Sequence, residues 1–118
     1  MALATRGHGP LAALRAFASQ VHPVFMLPPL AASLFGGLLA ASLGTATFDG
    51  RVAGVHVLAA FFALYTAHVK DGYVDFYGRG EDDDHPLTAS GCRVALAGAS
   101  AAFFACVGVV WWVVGPLA

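Results

Sequence analysis

Three residues able to handle cations or protons fall at helical spacing in the second half of the chain: His68, Asp71 and Asp75. At about 100° per residue, a helix puts them within roughly 60° of one another, as one polar stripe. Two carboxylates one turn apart can share a hard divalent cation. Mg2+ is the natural one, because it takes oxygen ligands and keeps waters and substrate phosphates in its shell. Lys70, Arg79 and Arg93 stand near enough in sequence to steady the phosphates of a bound anion. The cluster therefore reads as a site for a diphosphate headed by a metal, its apolar tail left in a bilayer. His68 has two readings, as a further ligand or as a ring that hydrogen-bonds a carbonyl near a helix end. His22 and His56 read as structural or interfacial.

The stripe opens a segment, residues 68–88, that holds six of the seven acidic residues. Within it, Glu81, Asp82, Asp83 and Asp84 read as a solvated loop. Asp71 and Asp75 differ, because they continue a span and share its face. A carboxylate at the end of a membrane helix is costly and tends to be kept for function.

The elements that must position these groups follow from where charge is missing. The chain has 118 residues, 58% hydrophobic and 11% charged, against about 45 to 50% and about a quarter in soluble domains. Its mean hydropathy is +0.73. There is no charge between Arg15 and Asp49, between Arg51 and Lys70, or after Arg93. Each gap holds a span of about 20 residues. The expected architecture is an all-α membrane protein with three transmembrane helices, over residues 23–43, 52–73 and 88–114. An interfacial stretch over residues 1–20, amphipathic around 11–19, precedes them, and an aspartate-rich loop over 74–87 joins the second and third. Pro23, Pro28 and Pro29 predict a kink or irregular turn early in the first span. A secretory signal peptide is the rival reading of the N-terminus, but Arg15 interrupts its apolar run.

Arg6, Arg15, Lys70, Arg79 and Arg93 fall on one side of the three spans and only Arg51 on the other. That bias predicts a cell-membrane protein with a cytoplasmic N-terminus, and Trp111 and Trp112 then mark the outer interface. A net charge of -1 excludes the basic face that nucleic-acid binding needs. Cys92 and Cys106 lie about 21 Å apart along one helix, beyond the roughly 7 Å limit for a disulfide, and read as packing residues. Ala95, Gly98, Ala99 and Ala102 would let another helix approach the third span closely.

A span ending in spaced aspartates, a short loop, then His85, Pro86, Leu87 and Thr88 with Gly91 opening the next span, resembles the first aspartate-rich region of the UbiA superfamily of intramembrane prenyltransferases, its archaeal members above all. The proline-rich start of the first span, with His22, Pro23 and Pro28, is similar to that family's start. The family motif NxxxDxxxD falls on Ala67, Asp71 and Asp75, matching at the aspartates and not at the asparagine. Where variants carry a further aspartate, this chain has His68, and His85 replaces the arginine often found before the Pro-Leu pair.

The resemblance implies a transferase, in which Mg2+ held by two aspartate motifs grips a prenyl diphosphate, the allylic carbon–oxygen bond ionises and an acceptor captures the carbocation. It implies Asp71 and Asp75 as metal ligands with His68 as a substitute third, and Lys70 or Arg79 assisting the diphosphate. Tyr65 and Tyr73 would stabilise the cation through their rings. Members of the family have further spans and a second aspartate motif. The chain is then expected to be the N-terminal third of such a fold, inactive alone and completed by missing C-terminal helices or another chain. Two other classes fit the residues: a small membrane protein binding a divalent metal through His68, Asp71, Asp75 and His85 without transfer chemistry, and a purely structural bundle.

Overall fold

The computed structural model of the chain describes residues 5–44, 47–81 and 85–115. Four helices account for most of it: α1 (Gly9–Ala18), α2 (Pro23–Ser42), α3 (Gly50–Gly78) and α4 (Ala89–Val114). Among the described residues there is no strand beyond an isolated bridge between Thr5 and Leu87. Three helices, α2, α3 and α4, are long and apolar enough to cross a membrane.

Their ends follow from local chemistry. Pro23 opens α2, where its missing N–H and fixed φ cost nothing. The helix then runs through Pro28 and Pro29, which leave the carbonyls of Val24 and Phe25 without their usual i+4 donors. It stops one residue before the expected boundary, with Leu43 as C-cap and Gly44 in the left-handed region at φ 73°. Asp49 caps α3, its Oδ1 accepting from the N–H groups of Arg51 at 2.9 Å and Val52 at 3.4 Å. Thr88 caps α4, its Oγ1 accepting from Gly91 N–H at 3.1 Å, so the helix proper begins one residue later than expected.

The largest difference from expectation is at the far end of α3. The apolar stretch ends at Val69, but the helix continues to Gly78, taking in the first part of the expected 74–87 loop. Nothing in residues 70–78 breaks a helix; charge ends a span without ending the hydrogen-bonded ladder. What stops it is Gly80 at φ 72°, which lets Glu81 N–H reach back to Phe76 O at 2.7 Å and Gly80 N–H to Tyr77 O at 3.4 Å. This pair of reversed bonds satisfies the orphan carbonyls of the last turn.

The helix α3 is the centre of the bundle and packs against both α2 and, more extensively, α4. The α4 side of that contact is a stripe of small residues, Cys92, Ala95, Ala99, Cys106 and Val110, all buried. Ala95 and Ala99 of the anticipated small-residue face belong to it, whereas Gly98 is exposed. Both cysteines are buried and unbonded to each other.

The core is thin, and that is informative about the solvent. Trp112 is 89% exposed, Val24 80% and Phe25 72%. So many large apolar groups facing outward would aggregate in water, whereas lipid tails cover them without penalty. Residues 52–69, uncharged throughout, rise about 27 Å in a helix, close to the roughly 30 Å hydrocarbon thickness.

The short α1 touches the bundle through Ala16 and Phe17 near its last turn. Ala13 and Ala16 face inward while Leu11 and Leu14 face out, and its last turn is pinned where Tyr65 Oη donates to Phe17 O at 2.8 Å. Removing that hydroxyl in Tyr65→Phe leaves a carbonyl without its donor and is expected to cost about 1 kcal/mol. Denaturation in micelles followed by far-ultraviolet circular dichroism measures it; an unchanged midpoint would mean that α1 docks by packing alone.

Candidate functional site

The last two turns of α3 present two faces of opposite character. Val69, Tyr73, Phe76 and Tyr77 turn toward α4 and the chain returning to it, where Val69 and Leu87 are fully buried and the tyrosines pack against them. Asp71 and Asp75 lie well over 90° around the axis from Tyr73 and are exposed. Neither carboxylate makes a hydrogen bond or ion pair with any described residue. Two oxygen donors one turn apart are thus open on the outward side of the helix, beyond its apolar stretch.

The cations named from sequence lie near the end of α3 and the start of α4. Lys70 and Arg93 are exposed. Arg79 folds back on the helix end, its Nε donating to the main-chain oxygen of Asp75 at 3.0 Å and lying 3.8 Å from Glu81 Oε2. Both partners of that ion pair are solvated, so it contributes little to stability and leaves the guanidinium available. Asp82, Asp83 and Asp84 lie outside the described residues.

The two tyrosines named from sequence sit elsewhere. Tyr65 spends its hydroxyl on Phe17, and its ring lines an apolar groove of about 300 Å³ with Phe61, Phe62 and Ala99. Tyr73 stacks on Tyr77 at 4.9 Å, on the far side of α3 from Asp71. Neither ring shares a face with the carboxylates.

His85 has a structural role that its place in a charged run conceals. It is 2% exposed. Its Nδ1 accepts from Leu87 N–H at 3.0 Å, its ring meets Phe76 edge-on at 5.2 Å, and Cys92 Sγ lies 4.0 Å away. Around it, Arg6 Nε donates to His85 O at 2.8 Å and Tyr77 Oη donates to Leu87 O at 2.9 Å. His85 is thereby separated from the outward carboxylates, so the four-residue set His68, Asp71, Asp75 and His85 is not assembled. Among the described residues no group of three or more His, Cys, Asp or Glu side chains is close enough to hold a metal. His68 instead stacks on His22, ring centroids 3.8 Å apart and tilted by 37°.

No family model matches this chain, nor does any curated protein or solved structure. The residues themselves carry the functional argument. Those that sequence reasoning missed are Arg6, Gly72 and Tyr77, together with the partnership of His22. One signal was present: both His22 and His85 precede a proline just ahead of a span, and a residue in that position is pushed toward extended backbone.

Gly72 is required by close approach. A Cβ there would lie 3.2 Å from His85 Nε2, and His85, buried and held through Nδ1, has little room to yield. Gly54, in the same helix, has open space around it. Gly→Ala in a helix ordinarily gains about 1 kcal/mol, while overpacking costs about 1 to 3 kcal/mol. Gly54→Ala should therefore stabilise the protein and Gly72→Ala destabilise it; denaturation midpoints moving in the same direction would contradict this account of His85.

Burial holds the His85 imidazole below its ordinary value of 6.5, and the nearby Arg6 cation acts in the same direction. As pH falls, the unfolded chain takes up this proton before the folded one does. The stability is complete above pH 6.5 and is lost as pH falls through that value toward the lower folded-state value. A thermal midpoint that falls between about pH 7.5 and 5 in the native chain, with a shallower fall in His85→Gln, is the expected result.

Proposed function

We propose that the outward face of α3 binds Mg2+ and, through it, a prenyl diphosphate, and that the chain is the N-terminal part of a UbiA-type intramembrane prenyltransferase. The observation that carries this reading is the pair Asp71 and Asp75: exposed, one turn apart, without described partners, and just beyond an apolar stretch of membrane-spanning length. An all-oxygen, solvent-accessible donor set is what a small hard cation selects.

In this reading Asp71 and Asp75 hold the metal, and Lys70 and Arg79 steady the phosphate oxygens. Bound magnesium supplies the positive charge that makes diphosphate a good leaving group. The allylic carbon–oxygen bond of the substrate breaks with both electrons leaving on diphosphate, and an acceptor nucleophile forms the new bond and gives up a proton. The apolar tail lies along the lipid-facing helices. Three helices supply one carboxylate pair, so partner helices, in the same polypeptide or another, supply the second and enclose the substrate. The excess of Lys and Arg at the α3–α4 end favours a cell-membrane protein with that end and the N-terminus in the cytoplasm.

Purified protein in nanodiscs should bind geranylgeranyl diphosphate in the presence of Mg2+, with binding weakened at least about tenfold by chelator, by Asp71→Asn or by Asp75→Asn. Binding that is equal with and without Mg2+ and indifferent to both substitutions would end this assignment.

A further inference from the structure

Beside the aspartate pair, the residues best placed for ligand chemistry are His22, at the start of α2, and His68, one turn before Asp71 on α3. Pro23 sets the conformation of the first: the residue before a proline is driven to extended backbone, and His22 takes φ −119° and ψ 93° as the N-cap of α2. Its side chain caps nothing and instead crosses to α3, where the ring lies 3.8 Å from that of His68. Both residues are half-buried.

Neither ring makes a hydrogen bond to any described residue. A neutral imidazole carries one donor and one acceptor nitrogen, and since no buried side-chain nitrogen or oxygen among the described residues lacks a partner, the nitrogens of both rings are accessible. Two such rings brought together from separate helices leave their in-plane nitrogens unspent. Asp71 stands one turn along α3 from His68, which places a carboxylate near the pair.

We infer that His22 and His68 form a two-imidazole site for a transition-metal cation of the zinc, nickel or cobalt type, clasping the start of α2 to α3. Imidazole nitrogen selects these ions, whereas Mg2+ selects oxygen. At metal–nitrogen distances of about 2.0 to 2.1 Å in a tetrahedral site, the ring centroids sit about 5 Å apart, so the rings part by roughly 1 Å. Rotation about the side-chain torsions of His22 and His68 supplies that shift, with the His22 backbone held by its place before Pro23. Water completes the coordination, and the Asp71 carboxylate favours the bound cation by its charge. The site is independent of the diphosphate reading, with which it shares only the neighbourhood of Asp71.

The test is calorimetric titration of the full chain in nanodiscs with ZnCl2 and with NiCl2, without any diphosphate. One equivalent should bind, and His22→Ala and His68→Ala should each weaken binding at least about tenfold. His56→Ala, near the other end of α3, and Asp75→Asn should leave the affinity unchanged, and Mg2+ in large excess should not displace zinc. Should an alanine variant lose helicity by circular dichroism, His22→Asn and His68→Asn, closer in shape, are held to the same criteria. Co2+ bound to the native chain should also show a visible absorption band that both asparagine variants lack. Binding that survives both histidine substitutions, disappears in Asp75→Asn or yields to Mg2+ would overturn the assignment to the histidines. Such an outcome leaves the aspartate reading standing, since that rests on magnesium-dependent capture of a prenyl diphosphate.

Discussion

The return of the chain from His85 to Leu87 is held from three directions, and the polar end of the bundle depends on it. Arg6 grips the carbonyl of His85 from the N-terminal side, Tyr77 grips the carbonyl of Leu87 from α3, and the His85 ring turns back to take the Leu87 N–H. Polar main-chain groups at a buried turn must be partnered, because each one left alone costs about 1 to 3 kcal/mol. Satisfying them engages one polar side chain on the inward face of α3, the hydroxyl of Tyr77. The carboxylates are left on the outward one, where no described residue neutralises them.

This division explains why so thin a core suffices. Small residues on α4 allow close backbone approach to α3, so dispersion contacts form over a long seam without bulky side chains. In water that seam would not compensate for the exposed Phe and Trp surface. Surrounded by lipid it need only fix which faces meet, because the tails solvate the remainder.

The spans were legible in the sequence because charge is expensive in hydrocarbon at every position, so a gap in charge is a gap in solvent. The stripe of His68, Asp71 and Asp75 was legible from helical periodicity alone. The end of α3 was less so: charge marks where the membrane ends, while the helix stops only where Gly80 permits the reversed turn. His85 was hidden for a different reason. It follows four acidic residues, a context that signals solvent, and only contacts distant in sequence bury it. The pairing of His22 with His68 likewise joins two helices, and no local pattern announces it. Tyr65 and Tyr73 pack within the bundle through contacts that composition does not reveal.

The bond from Arg6 to His85 spans 79 positions, which has a consequence for assembly. A chain made from its N-terminus produces Arg6 early, yet the carbonyl it grips exists in place only after α3 has been inserted and the chain has turned toward α4. Arg6 can therefore reach its partner only after that turn exists, and until then the His85 turn lacks one of its ties. In a chain made in that order, the tie from Arg6 closes after the helix that precedes His85 has formed.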